Sequence, residues 1–292
     1  ALAGLPPKGA TFRQWWEALP TFLGAESLRA VAAAIVAARR ADRPVVFAMG
    51  AHVVKVGCTP VVCDLIRRGI VTAVAMNGAT AIHDVELALF GQTSEEVAET
   101  IRDGSFGMVE ETPAFFAAAL GRTSPSDAGL GAILGEHLLA ERPRHVEHSA
   151  LAAARQAGIP ATVHVAAGTD TIHMHGCVAE SDLLHRSMTD FRLICSVVAG
   201  LAPASAGAPA GVWCNIGSAV LLPEGFLKAV AVARNLGANL DEITTANLDM
   251  LRHYRPSENV IGRTVKKGRG HQITGHHEIM RPLLRQALGE LY

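Results

Sequence analysis

Lysine is scarce in this chain: only Lys8, Lys55, Lys228, Lys266 and Lys267 are present. Chemistry through a protein-bound imine therefore has few carriers, and Lys267, beside Lys266, is the best placed of them. Surplus charge is missing too. With 26 Lys+Arg against 27 Asp+Glu and a net charge of -1, the chain offers no electrostatic footprint for nucleic acid or an anionic membrane surface, and neither is expected as a partner. The five cysteines, at 58, 63, 177, 195 and 214, form neither a disulfide framework nor paired CxxC knuckles. They read as buried, reduced thiols of a cytoplasmic protein. The first twenty residues hold no basic region followed by an apolar run, so no secretory leader is expected. HExxH is absent, and no metal is expected. GxGxxG is absent as well: Gly50 to Gly57 does not spell it, which argues against a standard dehydrogenase pyrophosphate turn.

What is present describes a large core: 49% hydrophobic residues, 28 glycines and only 18% charged residues over 292 positions. One domain spanning 1–292 is the expectation. The uncharged run between Arg192 and Glu224 is long enough for a bilayer, which needs about 20 residues. Pro203, Pro209, Gly200, Gly207 and Gly211 interrupt it, so it reads as strand, loop, strand. Periodicity predicts helices at 25–40, 59–68, 80–89 and 132–157, and a further helix capped by Thr93 with Glu96 and ending near Gly104. Strands are predicted at 45–49, 71–76, 161–166, 191–199, 211–222 and 243–247. Residues 104–135, with a Gly/Ser/Pro loop at 121–131, read as an insertion or mobile lid. The alternation gives an α/β fold: a Rossmann-like doubly wound parallel sheet of about six strands flanked by helices.

Ligands of such sheets bind at the carboxyl ends of the strands. The residues following successive strands are small and polar: Gly50-Ala51-His52, Asn77-Gly78-Ala79-Thr80, Gly168-Thr169-Asp170, Asn215-Ile216-Gly217-Ser218 and Thr244-Thr245-Ala246-Asn247. Backbone amides freed by glycine suit phosphate, and Asp or Asn side chains suit ribose hydroxyls. Histidine is abundant, with 13 residues. His83-Asp84 pairs an imidazole with a carboxylate, His173-Met174-His175 would place two rings on one face if extended, and His276-His277-Glu278 adds further donors. Each of these also fits a core or capping role.

The order of these segments resembles the deoxyhypusine synthase family over about residues 25–290. The matching landmarks are VVFAMGAHVVKVG, VTAVAMNGATAIHDVELALFG, GIPATVHVAAGTDTIHMH, FRLICSVVAG, GVWCNIGSAVLLP and ITTAN. The resemblance implies a Rossmann-like sheet, NAD as cofactor without GxGxxG, and a homotetramer with sites at dimer interfaces. It carries the family's first loop onto Gly50-Ala51-His52 and its second onto Asn77-Gly78-Ala79-Thr80. The acidic pair falls on His83-Asp84, the glycine-bearing strand end on Ile216-Gly217-Ser218, the Asn-Thr-Ala segment on Thr244-Thr245-Ala246, and the terminal cofactor contact on His276-His277-Glu278. The family's imine-forming lysine falls on Arg263, whose guanidinium stays protonated. The chain thus reads as a divergent relative with a rebuilt reaction pocket.

The expected activity is NAD-dependent hydride abstraction from a small amine or alcohol, followed by elimination, transfer or hydride return, in a transferase or oxidoreductase setting. Expected catalytic residues are His83, Asp84, Asp170, His173, Lys267, His276 and Glu278. Expected cofactor contacts are Gly50, Ala51, His52, Asn77, Gly78, Ala79, Gly168, Thr169, Gly217, Ser218, Thr245, Ala246 and His277. The alternatives are an aminobutyl transferase of the deoxyhypusine or homospermidine type, a nucleotide-binding module without turnover, and a hydrolase whose histidines hold a metal.

Overall fold

The computed structural model describes residues 2–122 and 127–292. In chain order the first elements are α1 (Phe12–Ala18), α2 (Leu23–Arg40), β1 (Val45–Met49), α3 (His52–Lys55), α4 (Thr59–Arg67), β2 (Ala73–Asn77), α5 (Gly78–Phe90), α6 (Val97–Asp103), α7 (Glu111–Gly121), α8 (Leu130–Glu141), α9 (Ala150–Ala157) and β3 (Ala161–His164). They are followed by α10 (Glu180–Ala199), β4 (Val212–Ile216), α11 (Leu221–Asn235), β5 (Thr244–Asp249), the single turn α12 (Tyr254–Pro256), β6 (Gly270–Thr274) and α13 (His277–Leu291). The strands form one parallel sheet in the order β3-β2-β1-β4-β5-β6, the strand order of doubly wound dinucleotide-binding folds. The α/β class expected from sequence is the one observed.

The chain divides into two compact units, Met49–Ser196 and Ala1–Ala48 with Val197–Tyr292. In the first, β2 runs in register with β3 from Val74↔Ala161 to Asn77↔His164. In the second, β4, β5 and β6 align so that Asn215, Asn247 and Gln272 stand in one row. Strands β1, β4 and β5 are buried along their whole length, as expected of parallel strands covered on both faces. On α2 the buried residues Leu28, Val31, Ala32, Ile35 and Val36 are the face that periodicity predicts.

Three predicted elements differ. Residues 191–199 are the end of α10, not a strand: Leu183, Ser187, Asp190, Ile194 and Val198 are buried at helical spacing. Its β-branched residues mimic a strand only in a short window. The sixth strand is β6, where Ile273 is the one buried residue, so no apolar run announced it. The predicted helix 132–157 is broken. Arg142 takes a left-handed φ of 49°, Pro143 follows, and Ser149 caps α9 by accepting the N–H of Ala152. The expected insertion at 104–135 contains α7 and the start of α8, where Phe116, Leu130 and Leu134 are buried; residues 123–126 of its loop lie outside the described residues. Cys58, Cys63 and Cys214 are buried and in no disulfide, whereas Cys177 is exposed. Among the described residues no helix is long and apolar enough to cross a membrane.

Candidate active site

In the Met49–Ser196 unit, the turn from β2 into α5 is built around a carboxylate. Asn77 is the N-cap of α5, its Oδ1 accepting the N–H of Thr80 at 2.8 Å. Asp170, from the turn after β3, accepts the N–H of Ala79. A Cβ on Gly78 would lie 1.9 Å from Asp170 Oδ2, so only glycine admits this approach. The partial positive charge of the helix N-terminus is thereby met from within the chain. The position that Asn77, Gly78 and Ala79 are expected to offer a phosphate is filled here by Asp170, which speaks against that role. Burial raises the Asp170 carboxyl above the ordinary range, opposed by His173 and by the N–H of Ala79.

Beside this turn lies a cavity of about 230 Å³ whose lining includes Lys55, His83, Glu86, Glu95, Thr169 and Asp170. His83 and Glu86 are one helical turn apart on α5, with His83 Nδ1 3.1 Å from Glu86 Oε2 and 2.6 Å from Thr93 Oγ1. Thr93 donates its hydroxyl to Glu86 Oε2, and Thr112 donates to Glu86 Oε1 at 3.3 Å. Burial would raise the Glu86 carboxyl, but the hydrogen bonds from His83 and Thr93 outweigh it and hold the group below its usual range. An ionised Glu86 assigns the His83 proton to Nδ1 and leaves Nε2 as a proton acceptor. Thr93 does not cap α6 as predicted: Glu96 occupies that N-cap without a side-chain bond, and the Thr93 hydroxyl belongs to the His83 cluster.

Other expected residues have different surroundings. Asp84 is fully buried and faces away from solvent: it accepts Ser149 Oγ at 2.5 Å and the N–H groups of Ala150 and Leu151 at 2.8 and 3.2 Å, fastening α9 to α5. Burial pushes its carboxyl up to about 6 against those bonds. His173 turns Nδ1 onto the N–H groups of Gly168 and Asp170 at 3.1 and 3.3 Å, which shapes the turn and occupies the lone pair a base would need. Gly50, Ala51 and His52 lead from β1 into α3, a helix of four residues and too short for a phosphate-binding N-terminus. Gly168, with a φ of 81°, and Thr169 form the turn that delivers Asp170.

In the second unit, Gly217 ends β4 with a φ of 65°, and a Cβ there would stand 2.7 Å from the Nε2 of buried His277. Ser218 Oγ accepts the N–H of Leu222, within the first turn of α11. Thr245 and Ala246 lie inside β5, not at its end; Thr245 Oγ1 donates to the carbonyl of Val260 at 2.6 Å, and Asp249 closes the strand. Both are fully buried, which speaks against their expected cofactor contact. Lys266 and Lys267 precede β6 and so sit at the amino edge of the strands, where Lys266 pairs with Glu242 at 3.0 Å. That placement sets Lys267 at the opposite edge from the carboxyl ends of the strands, where ligands of such sheets bind, and speaks against its expected catalytic role. His276, the N-cap of α13, and Glu278 are exposed, 3.7 Å apart.

Lys55, Glu86 and Glu95 were not among the expected residues. Glu86 had a readable signal, the i,i+3 spacing from His83 on a predicted helix. Lys55 and Glu95 had none, because only the folded loops bring them to the cavity.

A family model for the C-terminal Rossmann-fold domain of ArgZ-like arginine dihydrolases matches residues 29–107. No curated protein matches the sequence. Among solved structures, the chain is similar to a candidate LOR/SDH protein from Methanococcus maripaludis S2 (13% identity, TM-score 0.56, 91% of this chain and 68% of that one). It is also similar to AgrE in ternary complex with ornithine and NAD+ (14%, 0.60, 91% and 33%) and to a candidate deoxyhypusine synthase from Entamoeba histolytica (11%, 0.53, 96% and 93%). These likenesses establish the fold. The chain spans about a third of the length of AgrE. The resemblance to deoxyhypusine synthases holds at this level of fold, alongside the LOR/SDH and ArgZ-type proteins.

Proposed function

We propose that the chain is an NAD-dependent enzyme, cytoplasmic and homotetrameric, that takes a proton from a small amine held in the His83–Glu86 cavity. The observation that carries this reading is the His83–Glu86–Thr93 cluster on the cavity wall: a part-buried carboxylate orients an imidazole and leaves one nitrogen to accept a proton. Glu86, Glu95 and Asp170 outnumber Lys55 around the cavity, which favours an ammonium group over an anion.

NAD fits the second unit better than the first. The turn from β4 into α11, with Gly217 at its start and Val220 making no side-chain bond as N-cap, is the stretch offered to a phosphate there; His277 Nε2 stands over Gly217, and Ser218 Oγ holds the N–H of Leu222. Gly217, Ser218 and His277 would hold the cofactor, which supplies a hydride acceptor when bound. The α5 terminus suits a phosphate less, because the group that fills it is the Asp170 carboxylate, whereas the group over Gly217 is the His277 imidazole. The likeness to AgrE, complexed with ornithine and NAD+, supports the same cofactor and makes ornithine the first amine to test.

The test is turnover of a panel of amino acids and diamines with NAD, read by nicotinamide absorbance and by product mass so that reactions without net redox are seen. His83→Gln should lower kcat by about 10²–10⁴-fold while the NAD-induced thermal shift stays. Unchanged turnover in that variant would sink the role of His83, and absence of any thermal shift with millimolar NAD would sink the cofactor assignment.

A further inference from the structure

The chain between α8 and α9 carries three metal-ligating side chains on one short 3-10 turn, Val146–His148, with His145 as its N-cap. One ligand atom from each of His145, Glu147 and His148 lies within 4.8 Å of the other two. The imidazoles of His145 and His148 are stacked, 10° from parallel with centroids 6.3 Å apart, and His148 Nε2 is 3.5 Å from Glu147 Oε1. None of these residues touches the His83 cavity or serves the activity proposed above.

We propose that His145, Glu147 and His148 form a binding site for a late first-row transition dication, of which Zn²⁺ is the simplest case. Two imidazoles and one carboxylate are the donor set of open three-ligand zinc sites, and they disfavour Mg²⁺ and Ca²⁺, which take oxygen ligands. With metal–ligand bonds of about 2.0–2.1 Å, tetrahedral ligand atoms stand roughly 3.3–3.4 Å apart. Bringing ligand atoms up to 4.8 Å apart to that spacing calls for side-chain rotation, and Glu147, 59% exposed, has the room to make most of it.

The backbone under the site is fixed. The N–H of His145 donates to the carbonyl of Ala88 at 3.0 Å, and the N–H of His148 donates to the carbonyl of His145 at 3.0 Å. Ser149, the next residue, is tied to the buried Asp84. The His145 ring lies over Gly91, the left-handed C-cap of α5, where a Cβ would come within 2.8 Å of Nε2. A ring held over a glycine and a backbone tied to two helices lower the entropy cost of gathering the ligands. Three protein ligands leave a fourth position for water or a further ligand, and the half-exposed setting predicts modest affinity.

Calorimetric titration of the whole protein with ZnCl₂, with MgCl₂ and CaCl₂ as controls, decides the question. One Zn²⁺ per chain is expected, with no heat from Mg²⁺ or Ca²⁺, and Co²⁺ should show the visible absorption of a nitrogen-ligated ion. His148→Ala should raise the Kd at least tenfold, and His145→Ala with His148→Ala should abolish binding. His185→Ala, an exposed histidine elsewhere, should bind as wild type. If the double variant misfolds by circular dichroism, Glu147→Gln, whose side chain is exposed, serves in its place and should weaken binding about tenfold. Absence of Zn²⁺ binding, or binding unchanged in the His148 and Glu147 variants, overturns the site.

Discussion

Asp190, fully buried on α10, accepts the N–H of Gly131 at 2.9 Å and of Val163 at 2.8 Å through Oδ2, joining α8 to β3. Burial pushes its carboxyl up to about 7 despite those bonds. The folded chain thus keeps this proton to about pH 7, whereas an unfolded aspartate releases it near pH 3.9. Between those values the folded state binds more protons, so this group's contribution to stability falls as pH rises, by a few kcal/mol at most. Asp190→Asn imitates the protonated form and removes the titration. Its Tm relative to wild type should be higher at pH 7.5 than at pH 5; a difference that does not move with pH would refute the assignment. His164 works in the opposite sense: burial lowers it to about 4, so its contribution is lost as pH falls below about 6.5. It is common to both proteins and cancels in the comparison. From the sequence, Asp190 was an unremarked residue just before a supposed strand, and its role followed only once residues 180–199 proved helical.

At the scale of elements, glycines mark where helices touch strands. A Cβ on Gly131 of α8 would meet the carbonyl oxygen of Ala161 in β3 at 2.2 Å, and backbone on both sides cannot yield cheaply. Gly131→Ala is expected to destabilise by roughly 1–3 kcal/mol. Gly225, inside α11, has nothing within 4 Å of its added Cβ, so Gly225→Ala should gain roughly 0.5–1 kcal/mol. Urea denaturation of both variants checks this, and equal effects would contradict the packing difference. The composition gives 28 glycines without distinguishing these two kinds. The element pattern itself was readable wherever burial was two-sided or strictly periodic, as for β1 and α2. It misled at α10, whose β-branched carboxyl end imitates a strand, and at β6, an edge strand with too few buried residues to leave a trace.

For the whole molecule, the strand order β3-β2-β1-β4-β5-β6 and the similarity to LOR/SDH, AgrE and deoxyhypusine synthase-type structures define an α/β scaffold on which function rests in particular sites. The homotetramer implied by the deoxyhypusine synthase resemblance predicts a mass four times that of the chain in light scattering. A monomer at micromolar concentration would remove that part of the proposal. Tetramerisation should also raise the Tm with protein concentration, independently of NAD.

The sequence by itself determined the α/β class, the glycine-bearing turns after β1, β2 and β4, and the placing of His83 early in a helix behind a strand. These are local matters of periodicity, turn chemistry and capping, carried by neighbours in the chain. The tertiary structure alone decided what those turns meet. Asp170 comes from 92 positions away to fill the space over Gly78, Asp84 is spent on α9, and Lys267 falls at the amino edge of its strand. Glu86 and Lys55 gather around the His83 cavity. Such encounters depend on loops that close over long separations, and a linear pattern does not record which side chain a buried backbone group will find.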